Sequence, residues 1–288
     1  MNSIEFLMCR LLSHIFLSLL FFTISSCKHK SGHINNAPFQ ETISNVHEES
    51  VTIIGHPDER TDNDILIPIN IGNLPHQLLH RKAYFVSYNK DTRCPNWVAW
   101  RLILSHIDGN CPRDKKYYED EDVPAPRATD NDYKGSGWTH GHMCPAADNK
   151  WNSIAMMESN YLTNICPQHG NLNSGLWNRI ELDCREWTKK YGDIYIVCGP
   201  IFLNKEHVTI GDNRVVVPEA FFKVILRLEP APKALGFIIR NNDGKKRRDQ
   251  FLNTVDEVER ITGIDFFPAL PDSIENKVEA YSNLEDWK

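Results

Sequence analysis

Segments typical of β-strands outnumber segments typical of helices in this chain, and this imbalance limits the folds open to it. Six segments are rich in aromatic or β-branched residues and bounded by Pro, Asn or Gly: residues 84–88, 97–104, 194–198, 214–217, 221–228 and 234–240. Their order lacks the regular alternation of strand and helix that a doubly wound sheet requires. The sequence therefore predicts an α+β fold with a mainly antiparallel sheet flanked by helices.

Two segments have the apolar spacing of a helix. In the first, apolar residues recur at intervals of three and four, at Trp177, Ile180, Cys184 and Trp187. Gly192 follows this pattern and is expected to end the helix. The second segment, residues 251–261, repeats the spacing. No internal repeat is evident, so a solenoid or propeller is not expected.

The N-terminal part of the chain differs in composition from the rest. Residues 11–26 form an apolar run that follows Arg10 and ends at Cys27. The run is too short and too interrupted by polar residues to predict a membrane span, and it resembles a signal peptide. Ile24–Cys27 resembles the lipobox of bacterial lipoproteins, so residues 1–27 predict export and anchoring in a bacterial cell envelope through a lipid on Cys27. Plain secretion and an uncleaved anchor are the alternatives, and the lack of arginines disfavours a mitochondrial transit peptide.

The remainder of the chain divides at about residue 65. Residues 28–64 are rich in polar residues and lack sustained periodicity, which is typical of a flexible tether. Residues 65–288 are then the folded domain. Because 41% of the chain is apolar and 24% is charged, this domain can bury a substantial core.

Six cysteines belong to the expected domain: Cys94, Cys111, Cys144, Cys166, Cys184 and Cys198. An even number of cysteines in an exported protein permits disulfides, but their pairing cannot be deduced from sequence. Cys94 and Cys111 flank one expected hairpin and are the first candidates for a pair.

The segment GWTHGHMCPAADN, residues 137–149, contains a histidine suited to acid–base chemistry. His142 follows Gly141, and an imidazole placed on a turn after a strand can accept a proton near neutral pH. Downstream, Asn173 and Glu181 lie on or beside the first expected helix. They would be about 12 Å apart along its axis, so they could share an ion only through water. A neutral amide oxygen suits a well-hydrated ion such as Mg²⁺.

The segments DYKGSGWTHGHMCPAADNK and YLTNICPQHGNLNSGLWNRIE resemble the DNA/RNA non-specific endonucleases of the ββα-metal group, relatives of the Serratia nuclease and endonuclease G. The resemblance covers roughly residues 65–270 and includes NWVAWRL, YGDIYIVCGPIF and TVDEVERITGIDFF. It implies a ββα-metal motif and hydrolysis of DNA or RNA that leaves 5′-phosphate ends. The implied cofactor is Mg²⁺, or another divalent cation such as Mn²⁺.

The resemblance also implies residue roles. His142 would be the general base, Asn173 the metal ligand and Glu181 a catalytic residue that orients the water around the metal. Two arginines, Arg185 and Arg113, would complete the catalytic set. Substrate contacts are expected from His140, Asn164 and Arg127.

Thr139 and His140 depart from the family signature, which has Asp-Arg at these positions. An arginine holds phosphate at any working pH, whereas His140 donates strongly only when it is protonated. We therefore expect an active enzyme with an altered pH or substrate preference, and an attenuated nuclease is the alternative.

Several other interpretations remain open at this stage. A zinc-stabilised binding module could use the imidazoles and thiols of His140, His142, Cys144, Cys166 and His169. Glu181 and Arg185 could form only a surface ion pair, Asn164 could close a turn, and residues 245–248 could be a solvated loop. The net charge of −6 gives no support to nucleic-acid binding, although local cations suffice for phosphate contact. The oligomeric state is open, and a homodimer is one option.

Overall fold

The computed structural model describes residues 64–70, 72, 74–242 and 246–288. The expected signal peptide, the lipid site at Cys27 and the tether up to residue 63 lie outside these residues. No helix in the described ranges is long and apolar enough to cross a membrane.

The strands of the described chain fall into one large sheet and three two-stranded sheets, and all the strand pairs are antiparallel. They are β1 (Ile69–Asn70), β2 (Gln77–His80), β3 (Phe85–Asn89), β4 (Cys94–Leu102), β5 (Thr139–His142), β6 (Ile165–Gln168), β7 (Ile194–Ile201), β8 (Thr209–Ile210), β9 (Val215–Val216), β10 (Ala220–Arg227), β11 (Lys233–Arg240), β12 (Leu252–Asn253) and β13 (Ile264–Asp265). Each of the six strand predictions overlaps an observed strand. The predicted α+β class is confirmed.

The helices are mostly short. They are α1 (Leu104–Ile107), α2 (Asp130–Tyr133), α3 (Ser153–Glu158), α4 (Asn178–Tyr191), α5 (Val255–Thr262) and α6 (Asp272–Glu279). A π-helical segment, Leu172–Trp177, leads directly into α4. Helix α4 ends before Gly192 as predicted, because Gly192 has a φ of 85°, a conformation that glycine adopts without strain.

The large sheet has the strand order β12-β11-β10-β7-β4-β3-β2 and is covered on both faces. Side chains alternate along β10: Phe221 and Ile225 join the apolar cluster that includes Ile180 of α4, whereas Phe222 and Val224 join the cluster that includes helix α5. Because both faces are buried, the central strands β7 and β10 are mainly apolar, with Lys223 as a charged exception on β10. The fold is therefore a helix–sheet–helix sandwich, with α4 on one face and α5 on the other.

The second predicted helix begins later than the sequence spacing suggests. Residues 251–253 form the end of a 3₁₀ turn and strand β12, and α5 starts at Val255. The Thr254 hydroxyl accepts a hydrogen bond from the Glu257 N–H at 3.2 Å, which caps the first turn. The apolar spacing predicts the helix correctly from residue 255 onward. Before that residue the chain instead pairs with β11 as strand β12, and the cap at Thr254 sets the helix start.

The disulfide prediction is wrong in this structure. All six cysteines of the described chain are free thiols, and every one except Cys111 is buried. The Cys94 thiol lies 3.5 Å from the Val216 carbonyl, whereas the Cys111 thiol lies 3.7 Å from the Pro112 carbonyl. Five of these cysteines therefore act as small apolar residues in the core.

Candidate active site

Strand β5 carries the THGH segment and pairs with β6, so that His142 lies opposite Ile165. The two strands approach so closely that a Cβ atom at Gly141 would lie 2.5 Å from the Cβ atom of Gln168. Only glycine fits at this position. The π-helical segment and α4 follow β6 in the chain, and the Trp177 indole N–H donates to the His142 carbonyl at 3.1 Å. The strand pair and the helix together form the predicted ββα arrangement.

The His142 ring is held by one side chain, Asn160, which the sequence-based predictions omit. His142 Nε2 lies 2.8 Å from Asn160 Oδ1, and Asn160 Nδ2 donates to the Asp114 carbonyl at 3.1 Å. Because Asn160 Nδ2 donates to the Asp114 carbonyl, the amide oxygen faces His142 and must accept a hydrogen bond from Nε2–H. We infer that Nδ1 is the unprotonated nitrogen, the atom that can act as a base.

Burial keeps the His142 ring neutral. The residue is only 7% exposed. Burial lowers the pKa of His142 to about 4, and the nearby charge of Arg113 lowers this pKa too, although the contact with Asn160 opposes the shift. The imidazole is therefore neutral above about pH 5 and is ready to accept a proton at physiological pH.

The amide of Asn173 is oriented by the residue that replaces the signature aspartate. Asn173 Nδ2 donates to Thr139 Oγ1 at 2.9 Å and to the His140 carbonyl at 3.2 Å. Thr139 Oγ1 in turn donates to the Gln168 carbonyl at 2.7 Å. No donor of the described chain bonds to Asn173 Oδ1. Asn173 Oδ1 is therefore available to bind a ligand. The Thr139 hydroxyl, in place of the signature aspartate, is sufficient to orient the Asn173 amide.

Arg185 is fixed by a buried carboxylate that the sequence-based predictions also omit. Arg185 Nη1 lies 2.7 Å from Asp148 Oδ1, and Asp148 is 2% exposed. The other oxygen of Asp148 accepts a hydrogen bond from the Trp100 indole at 3.2 Å. Arg185 is therefore more than a surface partner of Glu181, because its guanidinium anchors α4 to the core of the domain.

Glu181 lies one turn before Arg185 on α4 and is half-buried. Its carboxylate has no hydrogen bond or ion pair within the described residues. Burial raises the pKa of Glu181 to about 7, and Asp148 adds to this shift, whereas the positive charges of Lys223, Arg185 and Arg113 oppose it. Such a carboxylate gains from a bound cation, because the cation would favour its ionised form.

Lys223 is a third residue that the sequence-based predictions miss. It is fully buried on β10, and its Nζ lies 4.2 Å from the ring centroid of Trp177 and 5.3 Å from that of Trp100. This ammonium has no hydrogen-bond partner within the described part of the chain. Burial acts to lower the pKa of Lys223, but the charges around it, including those of Glu181 and Asp148, raise it. A lysine inside the apolar run AFFKVIL is the sequence signal that could have identified this internal cation.

His140 is enclosed by aromatic rings and does not project freely into solvent. Its ring stacks between Tyr117 and Tyr133, with centroid distances of 3.8 Å and 4.1 Å. Nε2 lies 3.2 Å from Asp130 Oδ1 but is not aligned for a hydrogen bond. Burial lowers the pKa of His140, although Asp130 opposes the shift. The ring is therefore mostly neutral at pH 7.

Asn164 has a structural position that differs from the expected substrate contact. It is fully buried, and its Nδ2 donates to the carbonyls of Cys144 and Ser159 at 2.8 Å and 2.7 Å. Its Oδ1 accepts a hydrogen bond from the Cys144 N–H at 2.9 Å. Because its polar atoms are all engaged with backbone, we assign Asn164 to holding the loop after β5, as the alternative turn-closing interpretation suggested.

The two remaining arginines differ in their positions. Arg113 is exposed and has no hydrogen-bond or ion-pair partner within the described chain, and its charge acts on both His142 and Glu181. Arg127 instead contacts Glu119 at 3.1 Å and the Val123 carbonyl at 3.2 Å. The structure therefore brings Arg113 to the site, while no contact in the described ranges connects Arg127 to it.

The geometry does not support the alternative zinc site. Within the described residues, the ligand atoms of His140, His142, Cys144, Cys166 and His169 do not converge on one point. His169 Nδ1 instead accepts a hydrogen bond from the Asn171 N–H at 3.2 Å.

Comparison with known proteins gives one consistent family. Residues 62–273 match the sequence model of a family described as DNA/RNA non-specific endonuclease. The chain is 35% identical to the mitochondrial nuclease EXOG of Mus musculus, over 77% of this chain and 65% of that protein. It is 34% identical to the mitochondrial endonuclease G of Homo sapiens, over 67% of this chain and 70% of that protein. A chain from the crystal structure of the EndoG/EndoGI complex matches with a TM-score of 0.65 and 28% identity, covering 69% of this chain and 89% of that chain.

The same relatives show how much of their length this chain spans, and they bear on its predicted cellular location. The chain spans 65% of mouse EXOG, which is less than two thirds of that relative's length. The expected location in a bacterial cell envelope, through a lipid on Cys27, is contradicted because both relatives are named as mitochondrial nucleases. The apolar N-terminal run and its lipobox-like end were therefore misleading guides to location.

Proposed function

This chain belongs to the DNA/RNA non-specific endonuclease family, and on that premise we propose that it hydrolyses phosphodiester bonds of DNA and RNA with Mg²⁺ as its cofactor. One observation carries the proposal. Strand β5 carries the neutral imidazole of His142, which we propose as the base, on the same short segment as Thr139, whose hydroxyl accepts a hydrogen bond from the Asn173 amide. A base for water and a ligand for a cation are the two elements that metal-dependent phosphodiester hydrolysis requires.

The donor set suits a hard divalent cation. Asn173 Oδ1 would hold the ion directly, and the Glu181 carboxylate would bind the water around it. Magnesium prefers oxygen ligands and keeps much of its water shell, so one direct protein ligand is sufficient. When bound, Mg²⁺ stabilises the negative charge that develops on the phosphate and on the departing oxygen.

The residues of the chain supply the remaining steps. His142 Nδ1 accepts the proton of the attacking water, and Asn160 keeps Nε2 protonated so that the ring presents the correct nitrogen. Arg113 is free to contact phosphate, while Asp148 holds Arg185 and thereby the face of α4 that carries Glu181. As the water adds to phosphorus the P–O3′ bond breaks, and a solvent water protonates the departing 3′ oxygen, so the expected products carry 5′-phosphate and 3′-hydroxyl ends.

The chemistry of the product ends tests this proposal. Plasmid DNA digested by the purified chain with Mg²⁺ should yield fragments that a DNA ligase rejoins without prior phosphorylation. Fragments that need a kinase before ligation would contradict the mechanism, because their 5′ ends would lack phosphate.

We propose that His140 takes the place of the family arginine as a weak, pH-dependent phosphate contact. Because burial lowers its pKa, the ring carries little charge above pH 7. A His140→Arg variant should therefore raise kcat/KM by roughly 3- to 10-fold at pH 8, and by less at pH 6, because guanidinium stays charged and can stack between two tyrosines. Initial rates at the two pH values check this. A folded variant with no gain at pH 8 would remove His140 from phosphate binding.

A basic groove beside the site gives a path for the nucleic-acid backbone. It is lined by Ser174 and Gly175, which directly follow Asn173, and by the basic residues Arg179, Lys246, Arg247 and Arg248. Arg247 and Arg248 pair with Asp249 and Asp183. Arg179 is exposed and makes no ion pair or hydrogen bond with any described residue, so its charge is available for phosphate.

Removing the Arg179 charge should weaken substrate binding and leave the chemical step intact. For Arg179→Ala we expect KM to rise roughly 3- to 10-fold at low salt with little change in kcat. The slope of log KM against log salt concentration should fall by about one, the value of one lost phosphate contact. The matched control is Lys189→Ala, an exposed cation on the same helix that pairs with Glu186. Equal effects in both variants would rule out the groove.

A further inference from the structure

A second group of carboxylates lies on the opposite side of the sheet from the candidate active site. Asp256 and Glu259 project from α5, and Glu279 is the last residue of α6. One oxygen from each of the three side chains lies within 4.8 Å of the others. Asp265 and Glu275 add to the negative charge around them. We call Asp256, Glu259 and Glu279 the α5–α6 triad.

Glu279 is an unusual member of this triad. The residue is only 6% exposed, and its Oε1 has no hydrogen-bond partner among the residues that the structure describes. A buried carboxylate oxygen without a donor costs free energy unless a cation or a proton satisfies it. One oxygen of the Glu279 carboxylate lies within 4.8 Å of an oxygen of Asp256 and of Glu259. A cation at the centre of the triad would therefore neutralise the buried Glu279 carboxylate.

No basic side chain in the described ranges neutralises the triad. The nearest candidate in sequence, Arg260, forms a two-fold hydrogen-bonded pair with Glu257 on the outer side of α5. Glu259 accepts one hydrogen bond, from the Phe266 N–H at 2.8 Å. Burial and the surrounding carboxylates raise the pKa of Glu279 to about 9, as expected for acidic groups held together without a counter-charge.

We propose that the α5–α6 triad is a binding site for a divalent cation, and that calcium is the ion it suits best. All the donors are carboxylate oxygens, which hard cations prefer. Calcium accepts several carboxylate ligands in a flexible geometry, whereas magnesium usually binds one or two carboxylates and keeps several waters. The three oxygens of the triad lie within 4.8 Å of one another, which is close enough for one ion to contact all of them. Asp256 is exposed and gives the ion a path from solvent.

The role of such a site would be structural. Helix α5 packs on β10 and β11, and α6 contacts both α5 and β11. An ion bound to all three carboxylates would connect α6 to α5 and replace mutual repulsion with attraction. The inference does not depend on the proposed nuclease activity, because it concerns the opposite face of the sheet.

Thermal unfolding with and without calcium tests the site separately from the catalytic metal. The measurement uses the Asn173→Ala chain, in which the proposed catalytic ligand is absent, in CaCl₂ and in EGTA. At about a hundredfold excess of calcium over its Kd, Tm should rise by roughly 5–10 °C. Glu279→Gln in this background should lose the rise. Glu257→Gln, a carboxylate on the same helix outside the triad, should keep it.

Three outcomes would overturn the proposal. The first is a folded Asn173→Ala chain whose Tm does not respond to calcium. The second is a Glu279→Gln variant with an undiminished response. The third is a Glu279→Gln variant that is more stable in EGTA while the parent chain ignores calcium, because a shared proton would then satisfy the triad. If Glu279→Gln does not fold, Asp256→Asn changes the exposed ligand and must reduce the calcium response.

Discussion

Replacing His142 with alanine is expected to lower the rate of phosphodiester cleavage by about 10²–10⁴-fold, the usual cost of losing a general base. The structural reason is that burial keeps His142 neutral and Asn160 holds Nε2, which leaves Nδ1 as the nitrogen proposed to take the proton. The fold should survive, because the substitution leaves the strand pairing of β5 intact. Single-turnover cleavage of a labelled duplex, with circular dichroism of each protein, measures both effects.

The control for this substitution is a histidine outside the site. His207 bonds to Glu219 at 2.9 Å in a loop remote in sequence from β5, so His207→Ala should cleave at nearly the wild-type rate. A His142→Ala variant that cleaves as fast as His207→Ala would exclude His142 as the base.

Replacing Asn173 with alanine is expected to raise the Mg²⁺ concentration needed for half-maximal activity by at least about 10–100-fold. Substituting a residue that merely orients a metal ligand typically lowers metal affinity by about 10–100-fold. The loss should be at least as large for Asn173, because it is proposed to bind the ion directly. Activity titrated against Mg²⁺ measures the shift. At saturating Mg²⁺ much of the activity should return, because His142 and its partner Asn160 are untouched.

The Asn173→Asp variant distinguishes a role of Asn173 as a metal ligand from a role of its amide in hydrogen bonding. Aspartate keeps an oxygen in the same place but loses the amide protons that bond to Thr139 and His140. If Asn173 acts through its oxygen, Asn173→Asp should need less Mg²⁺ than Asn173→Ala. If the two variants are equally impaired at every Mg²⁺ concentration, the amide is needed for its hydrogen bonds, and the residue is not the metal ligand.

The strands and helix α4 could be predicted because their buried positions are occupied by apolar residues at recognisable spacings. The central strands β7 and β10 are buried on both faces, so they are long and mainly apolar in sequence. Helix α4 has one buried stripe, ending at Gly192. The start of α5 was harder to place, because strand pairing of residues 252–253 competes with the helical spacing.

The residues that hold or electrostatically affect the site residues could not be predicted, because they lie far from those residues in sequence. Asp148 meets Arg185 across 37 residues, and Asn160 meets His142 across 18. Lys223 lies on β10, well after α4 in the chain, yet its charge acts on Glu181. Only the fold brings these residues together, since spacing within one helix or strand cannot reveal them.

Digestion of plasmid DNA and of RNA by the wild-type chain, in Mg²⁺ and in excess chelator, tests the proposed metal-dependent nuclease activity most directly. Cleavage is expected to occur with Mg²⁺, to stop in chelator and to return when Mg²⁺ is restored. Cleavage that continues unchanged in chelator would contradict the metal-dependent mechanism, and a folded, Mg²⁺-loaded chain that cleaves neither nucleic acid would contradict the proposed activity itself.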